Sequence, residues 1–286
     1  MKKNVLGVIG GSGLYEIEGL SNVREITVDT PFGAPSDALI GGSLGDTDLL
    51  FLPRHGRGHR IPPHMINFRA NVAALKIAGA THLVTVSAVG SMKEEIAPGD
   101  LVCVDQFIDL TKKRVSTFFD DGIAAHVTFA DPVCADLSSA LANAAETTGA
   151  KVHRGGAYVC IDGPQFSTRA ESLVYRSWGV SVVGMTAMPE AKLAREAELP
   201  YATLALATDY DCWHESEEDV SVEAVVATLK KNVSFAKKTL AAVAGMLPDP
   251  QKSRAFDALK MAVMTSPDRI PADTKKKLSF LFQPQK

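Results

Sequence analysis

Two rhythms of apolar and polar positions alternate along the chain. Short runs such as Val5–Ile9 and Tyr201–Thr208 are almost continuously apolar, the pattern of strands covered on both faces. Other stretches repeat every three or four positions. Asn67 to Ala78 places Phe68, Val72 and Leu75 at i, i+4 and i+7 and stops at Gly79, which predicts an amphipathic helix. Ala135–Thr147 predicts another, with Leu137, Leu141 and Ala144 inward and Gly149 beyond its end. Helices are also expected near Arg169–Trp178 and Pro189–Glu198. Ser221 suits the N-cap of a long helix carrying Val222, Val225, Val226, Leu229 and Val233 to about Gly245. Further strands are expected at Arg24–Asp29, Ala38–Leu44, Asp48–Pro53, His82–Ala88, Leu101–Ile108, Tyr158–Ile161 and Ser181–Met185.

Strands that alternate with helices predict an α/β fold: a single domain built on a twisted mixed β-sheet flanked by helices on both sides. The early cluster of three strands without helices implies some antiparallel pairing. From Asp249 the pattern changes to two short helical patches around Pro267, Pro271 and the run Lys275-Lys276-Lys277. Residues 1–248 are therefore expected to form the domain and 249–286 a helical C-terminal extension, not a separate domain.

Composition narrows the class. The 286 residues are 46% hydrophobic and 22% charged, enough apolar material for a sizeable core. Thirty Lys and Arg against 33 Asp and Glu give a net charge of −3, which argues against a nucleic-acid or anionic-membrane partner. No apolar run approaches the ~18 residues of a membrane span. The first apolar run is broken too soon by glycine for a secretory signal. Cys103, Cys134, Cys160 and Cys212 form no CxxC pair and suit reduced, mostly buried thiols. The expectation is a soluble cytoplasmic protein.

Four segments carry candidate chemistry. Gly7 to Gly13 (Gly-Val-Ile-Gly-Gly-Ser-Gly) follows a strand, so backbone N–H groups and the Ser12 hydroxyl can converge on an anion. The spacing departs from G-x-G-x-x-G, and Pro31 and Pro35 interrupt the continuing βαβ unit, which argues against a dinucleotide cofactor. Arg54 and His55 end another strand among glycines, where an arginine fork and an imidazole suit phosphate. His59 and His64 lie close by. A metal pair at i, i+4 needs a helix, which Gly56, Gly58, Pro62 and Pro63 forbid. Ser87, Ala88 and Gly90 end a third run, at the strand termini where open α/β sheets gather ligands. Asp209 and Asp211 follow the run 201–208 and are two apart, so on a continuing strand both carboxylates point the same way. Two such neighbours repel, and one is pushed to hold a proton. A tight turn, a solvated basic loop and a polar strand end are the purely structural alternatives.

Taken together, these segments resemble the methylthioadenosine phosphorylases, within the trimeric purine nucleoside phosphorylase group. The resemblance runs from Val8 to about Gly245 and includes Asp29–Gly33, Arg54–Gly56, Ile96–Asp100, Asp105–Asp109, Phe166–Glu171, Met185-Thr186 with Pro189-Glu190, and Thr208–Trp213. It implies a phosphorylase/hydrolase-like fold and phosphorolysis of 5′-methylthioadenosine to adenine and 5-methylthioribose 1-phosphate. It implies no metal or organic cofactor, inorganic phosphate being a co-substrate, and a homo-oligomer, trimer or dimer of trimers. By resemblance Ser12, Arg54, His55, Ser87, Ala88 and Thr186 hold phosphate. Met185 lies against the ribose, Phe166 packs on the purine, and Asp209, Tyr210 and Asp211 meet the base, with Asp209 the candidate general acid. Ser167, Val222 and Val225 are implied in substrate discrimination, and His126 enters from a neighbouring subunit. Gln165 and Gly184 stand where many or some relatives carry Arg and Asn. Competing readings are a 6-oxopurine or methylthioinosine phosphorylase, a water-using nucleosidase, and a non-catalytic nucleotide-binding protein.

Overall fold

A computed structural model describes residues 3–11, 13, 14, 16–214 and 222–282, with only the backbone described for 222–227. In chain order the strands and helices are β1 (Val5–Gly10), β2 (Ser21–Ile26), β3 (Leu39–Leu44), β4 (Thr47–Pro53), α1 (Phe68–Ile77), β5 (His82–Ser91), β6 (Leu101–Cys103) and β7 (Gln106–Asp109). There follow α2 (Ala135–Glu146), β8 (Val152–Arg154), β9 (Ala157–Cys160), α3 (Arg169–Ser177), β10 (Val182–Gly184), α4 (Ala187–Glu196), β11 (Tyr201–Asp209), α5 (Val222–Ala244), α6 (Ala272–Lys277) and α7 (Ser279–Phe282).

Among the described residues these strands join one mixed sheet in the order β2-β3-β4-β1-β5-β10-β9-β7, with β11 also on β5 and β6 bridging β11 to β8. The early strands pair antiparallel (β2 with β3, β3 with β4), and β4, β1 and β5 then run parallel. The apolar run expected at Leu101–Ile108 is two strands. β6 runs antiparallel to β11, and β7 runs parallel to β9. The break falls at Asp105, whose side chain accepts from the Gly156 amide at 3.0 Å. α1 begins where the Asn67 side chain accepts from the Ala70 amide, and α3 where Thr168 and Glu171 cap each other reciprocally.

One strand organises the sheet. β5 is ten residues long and shares one edge between two neighbours. β1 pairs with it as far as Thr85, and β10 takes over at Gly90. Between them the Val86–Val89 stretch has no strand on that edge, while β11 follows β5 along the other. The sheet therefore splits at the middle of β5, where Ser87 and Ala88 lie. A backbone edge left without a ladder must find other partners, and a ligand is one of them.

The extension packs in part against the rest of the chain. Leu259, Ala262, Leu278 and Leu281 belong to the main apolar cluster. Its backbone holds the segment around residue 126: His126 N donates to Ala262 O at 2.8 Å and Met264 N to Ala124 O at 2.9 Å. No described helix is long and apolar enough to cross a membrane.

Candidate active site

A cavity of about 790 Å³ opens at the split in the sheet. It gathers Arg54 and His55 from the end of β4, Ser87 to Gly90 from β5, and Gly184, Met185 and Thr186 from the end of β10. Asp209 and Asp211 come from the end of β11, and Phe166 and Ser167 from the loop before α3. A larger cavity of about 1570 Å³ lies beneath the extension, and it brings none of the candidate residues together.

At one end is the aspartate pair. The strand does not continue to 211: Asp211 turns into a left-handed conformation (φ +53°) and opens a single 3₁₀ turn. Its amide donates to Asp209 Oδ1 at 2.8 Å, and the Thr208 hydroxyl lies 2.7 Å from Asp209 Oδ2. Burial pushes the Asp209 carboxyl up, against the downward pull of those two donors. Burial also pushes Asp211 up. The Ser172 hydroxyl pulls it down and the Asp209 charge adds to the rise. So burial, more than mutual repulsion, lifts Asp209. Gly90 leaves the room, because a Cβ there would lie 3.0 Å from Asp209 Oδ1.

At the other end is a cluster of donors. The hydroxyls of Ser87 and Thr186 are buried and make no hydrogen bond among the described residues. Buried hydroxyls without partners are rare, and two in one cavity call for an acceptor from outside. Arg54 is buried beside them, but most of its fork is spent. Nε and Nη2 donate to the two Glu190 oxygens at 2.6 and 2.9 Å, Nη1 donates to Val86 O at 2.8 Å, and Nη2 to Ile9 O at 3.2 Å. Of the five guanidinium N–H groups, roughly one remains for a ligand. The bidentate grip expected from the sequence is thus made to Glu190, and the positive charge still faces the cavity. Burial opposes the Arg54 charge, but Glu190 outweighs it and holds the guanidinium above its ordinary value.

His55 is held neutral and in one tautomer. Its Nδ1 is 2.8 Å from Ile61 O, which can only accept, so Nδ1 carries the hydrogen. Burial, and then the Arg54 charge, push its pKa down to about 4, so the ring is neutral and Nε2 is an acceptor. His55 stacks on His59 at 4.2 Å. Among the described residues no group of three His, Cys, Asp or Glu is placed to hold a metal ion.

The remaining candidates divide. Met185, Phe166 and Ser167 line the cavity, and Phe166 is half exposed. Tyr210 does not line it: its ring stacks on His214 and its hydroxyl donates to Glu94 O at 3.2 Å. His126 is exposed and outside this chain's own cavity. Ser12 and the side chains of Val222 and Val225 lie outside the described residues, as does Ser221. Leu229 and Val233 of α5 line the cavity, and residues 222, 225, 229 and 233 follow one another by three, four and four.

Two buried residues behind the site were not singled out from sequence. Glu190 sits in the first turn of α4 and fixes Arg54. Arg114 donates to Met185 O at 2.7 Å, Met188 O at 2.6 Å and Asp162 O at 2.8 Å, tying together two segments that line the cavity. An arginine in a polar loop carries no periodic signal. Only the Pro189-Glu190 motif gave a hint of the first.

Comparison with known proteins adds to this geometry. The profile of the phosphorylase superfamily matches residues 5–244. An S-methyl-5′-thioadenosine phosphorylase of Geobacter sulfurreducens is 56% identical over 281 residues, 98% of each chain. One from Synechocystis is 52% identical, covering 97% of this chain and 86% of its own. Among solved structures, a methylthioadenosine phosphorylase from an antarctic soil metagenomic library superposes with a TM-score of 0.93 at 45% identity, covering 99% of this chain and 100% of its own. The Schistosoma mansoni methylthioadenosine phosphorylase in complex with adenine superposes with a TM-score of 0.86 at 38% identity, over 93% and 100%.

Proposed function

The chain belongs to the phosphorylase superfamily, and from that footing we infer that it catalyses the reversible phosphorolysis of S-methyl-5′-thioadenosine. The products are adenine and S-methyl-5-thio-α-D-ribose 1-phosphate, which makes the protein a pentosyltransferase. The observation that carries the reading is one cavity with unpartnered buried hydroxyls, Ser87 and Thr186, and raised buried carboxyls, Asp209 and Asp211.

The chemistry assigns the roles. The bond from C1′ to N9 breaks with oxocarbenium-like charge on the sugar, and a phosphate oxygen forms the new bond to C1′. Adenine must gain a proton, at N7, and Asp209 supplies it as general acid. Asp211 accepts from the 6-amino group, which a 6-oxopurine lacks, and such mismatches discriminate strongly. Hydrogenphosphate loses one proton overall as it becomes the sugar phosphate dianion. That loss balances the proton gained by adenine and restores Asp209. Ser12, Arg54, His55, Ser87, Ala88 and Thr186 hold the phosphate, with the neutral His55 accepting from its P–OH. Met185 lies along the ribose, Phe166 on the purine face, and Tyr210 beside the base through its backbone.

The 5′-methylthio group requires an apolar slot, for which Val222 and Val225 continue the row of Leu229 and Val233. Ser167 and His126 complete the specificity set, His126 of the partner subunit reaching in from outside. The active form is accordingly a homo-oligomer, a trimer or a dimer of trimers, working in the cytoplasm in purine and methionine salvage. No metal or organic cofactor is invoked.

The test is adenine release from methylthioadenosine with and without inorganic phosphate, beside adenosine, inosine and methylthioinosine. Strict phosphate dependence with preference for methylthioadenosine is expected. Cleavage in water alone would make the protein a nucleosidase. Preference for inosine or methylthioinosine would overturn the assignment of the aspartate pair.

A further inference from the structure

Behind Ser87 and Thr186 lies a third buried hydroxyl that neither the sequence nor the reaction accounts for. Tyr158 of β9 is fully buried, and its phenol oxygen makes no hydrogen bond among the described residues. Its polar neighbours are the Ser87 and Thr186 hydroxyls and the Thr186 backbone amide. Three enclosed hydroxyls therefore meet beneath one end of the cavity, on β5, β9 and the start of α4, and none has a hydrogen-bond partner among the described residues.

A phenylalanine would fill the same ring volume and bury no polar group. Space has nonetheless been cut for the phenol. A Cβ on Gly184 would stand 2.0 Å from Tyr158 Oη and 2.7 Å from Cζ, so only glycine fits opposite it. Gly184 and Tyr158 are two halves of one arrangement.

We propose that Tyr158 is a positioning residue of the phosphate subsite, orienting the Ser87 and Thr186 hydroxyls toward the bound anion. This rests on the phosphorolysis reading. Each hydroxyl has one hydrogen and can also accept. When Ser87 and Thr186 give their hydrogens to phosphate oxygens, their lone pairs turn back toward the phenol, and Tyr158 donates its hydrogen to one of them. That bond stops the rotor it reaches and strengthens it as a donor. Burial pushes the phenol's pKa up to about 12, so it keeps its hydrogen throughout the working range.

Tyr158→Phe tests this, because it removes one oxygen and keeps the ring, whose Cζ still faces Gly184. The KM for inorganic phosphate is expected to rise about tenfold, as for loss of one hydrogen bond serving a charged ligand, while the KM for methylthioadenosine holds. The second readout is the rise in melting temperature that inorganic phosphate produces, taken as a difference within each variant. It is insensitive to any change in baseline stability and is expected to shrink in Tyr158→Phe. An unchanged phosphate KM and an unchanged phosphate-induced rise, beside a phosphate-dependent wild type, would overturn the inference alone. A wild type that neither needs phosphate nor is stabilised by it would overturn the phosphorolysis reading first.

Discussion

The backbone amide of Asp211 donates to the carboxylate of Asp209 at 2.8 Å, so a main-chain hydrogen bond joins the two residues in addition to the effect of the Asp209 charge on the Asp211 carboxyl. The second Asp209 oxygen lies 2.7 Å from the Thr208 hydroxyl, which is also 3.2 Å from Val89 O. That single hydroxyl hydrogen has two acceptors. When Asp209 is ionised it takes the hydrogen, and when Asp209 is protonated the carboxyl donates and Thr208 turns to Val89. Both protonation states are thus satisfied, as a general acid requires. Asp209→Asn is expected to lower kcat about 10²–10⁴-fold and to remove the alkaline limb of the pH–rate profile, with the phosphate KM little changed. Steady-state kinetics across pH checks both.

Asp211 has a different cost. Burial raises its carboxyl, and Oδ2 has no hydrogen-bond partner. A carboxyl raised above its unfolded value of 3.8 gives its full stability below that value, and the stability is lost as pH rises through the folded pKa. At neutral pH the charge is therefore a net burden. Asp211→Asn is expected to raise the melting temperature by about 2 °C at neutral pH and to give no gain near pH 3. The same variant should lose selectivity for 6-aminopurines, since an amide can donate to a 6-oxo group.

The Arg54–Glu190 pair joins the end of β4 to α4 beneath the cavity, and both side chains are buried. Removing one member strands the other charge in the interior. Glu190→Gln is expected to cost about 3–5 kcal/mol of stability. It should also free the guanidinium fork, so the phosphate KM changes less than stability does. Denaturant titration beside phosphate kinetics separates the two effects.

His55 should leave a signature on the acid side. Its folded pKa is about 4 against 6.5 for the free side chain, so below 6.5 the unfolded chain takes up a proton that the folded protein refuses. Stability falls from this cause as pH drops from 6.5 toward 4, by up to about 1.4 kcal/mol per pH unit. His55→Gln should flatten that part of the curve relative to the wild type. Identical slopes in the two proteins would remove the basis for a neutral His55.

These residues show which parts of the site a sequence can disclose. Gly10, Arg54 and Asp209 stand at the ends of apolar runs, which are visible without coordinates, while Ser87 lies inside one, at the middle of β5. The alternation of strand and helix likewise carried the α/β class and nearly every element. Less visible was the division of β5's edge between β1 and β10, because non-local pairing leaves no local pattern. Leu101–Ile108, one run in sequence, is likewise two strands with different partners. Glu190, Tyr158 and Arg114 were hidden for a related reason. Each acts through a partner more than seventy residues away or through backbone carbonyls, and neither kind of contact is written in the spacing of residue types.

Arg114 shows how far such a contact reaches. Its guanidinium is buried, and it donates to carbonyls on both sides of the cavity floor. Ile161 and Asp162 precede the loop that bears Phe166 and Ser167, while Met185 and Met188 flank Thr186. The loop bearing Phe166 and Ser167 and the segment bearing Met185 and Thr186 are thereby tied together by one side chain. Lysine keeps the charge but offers a single ammonium, which cannot serve four carbonyls spread over a planar fork. Arg114→Lys is therefore expected to leave at least two buried carbonyls unsatisfied and to cost about 2–4 kcal/mol of stability. Because both half-sites lose their common anchor, KM should rise for methylthioadenosine and for phosphate together. In Tyr158→Phe only the phosphate term moves. Measuring both constants in both variants distinguishes an anchor of the whole cavity from a residue that serves one end of it.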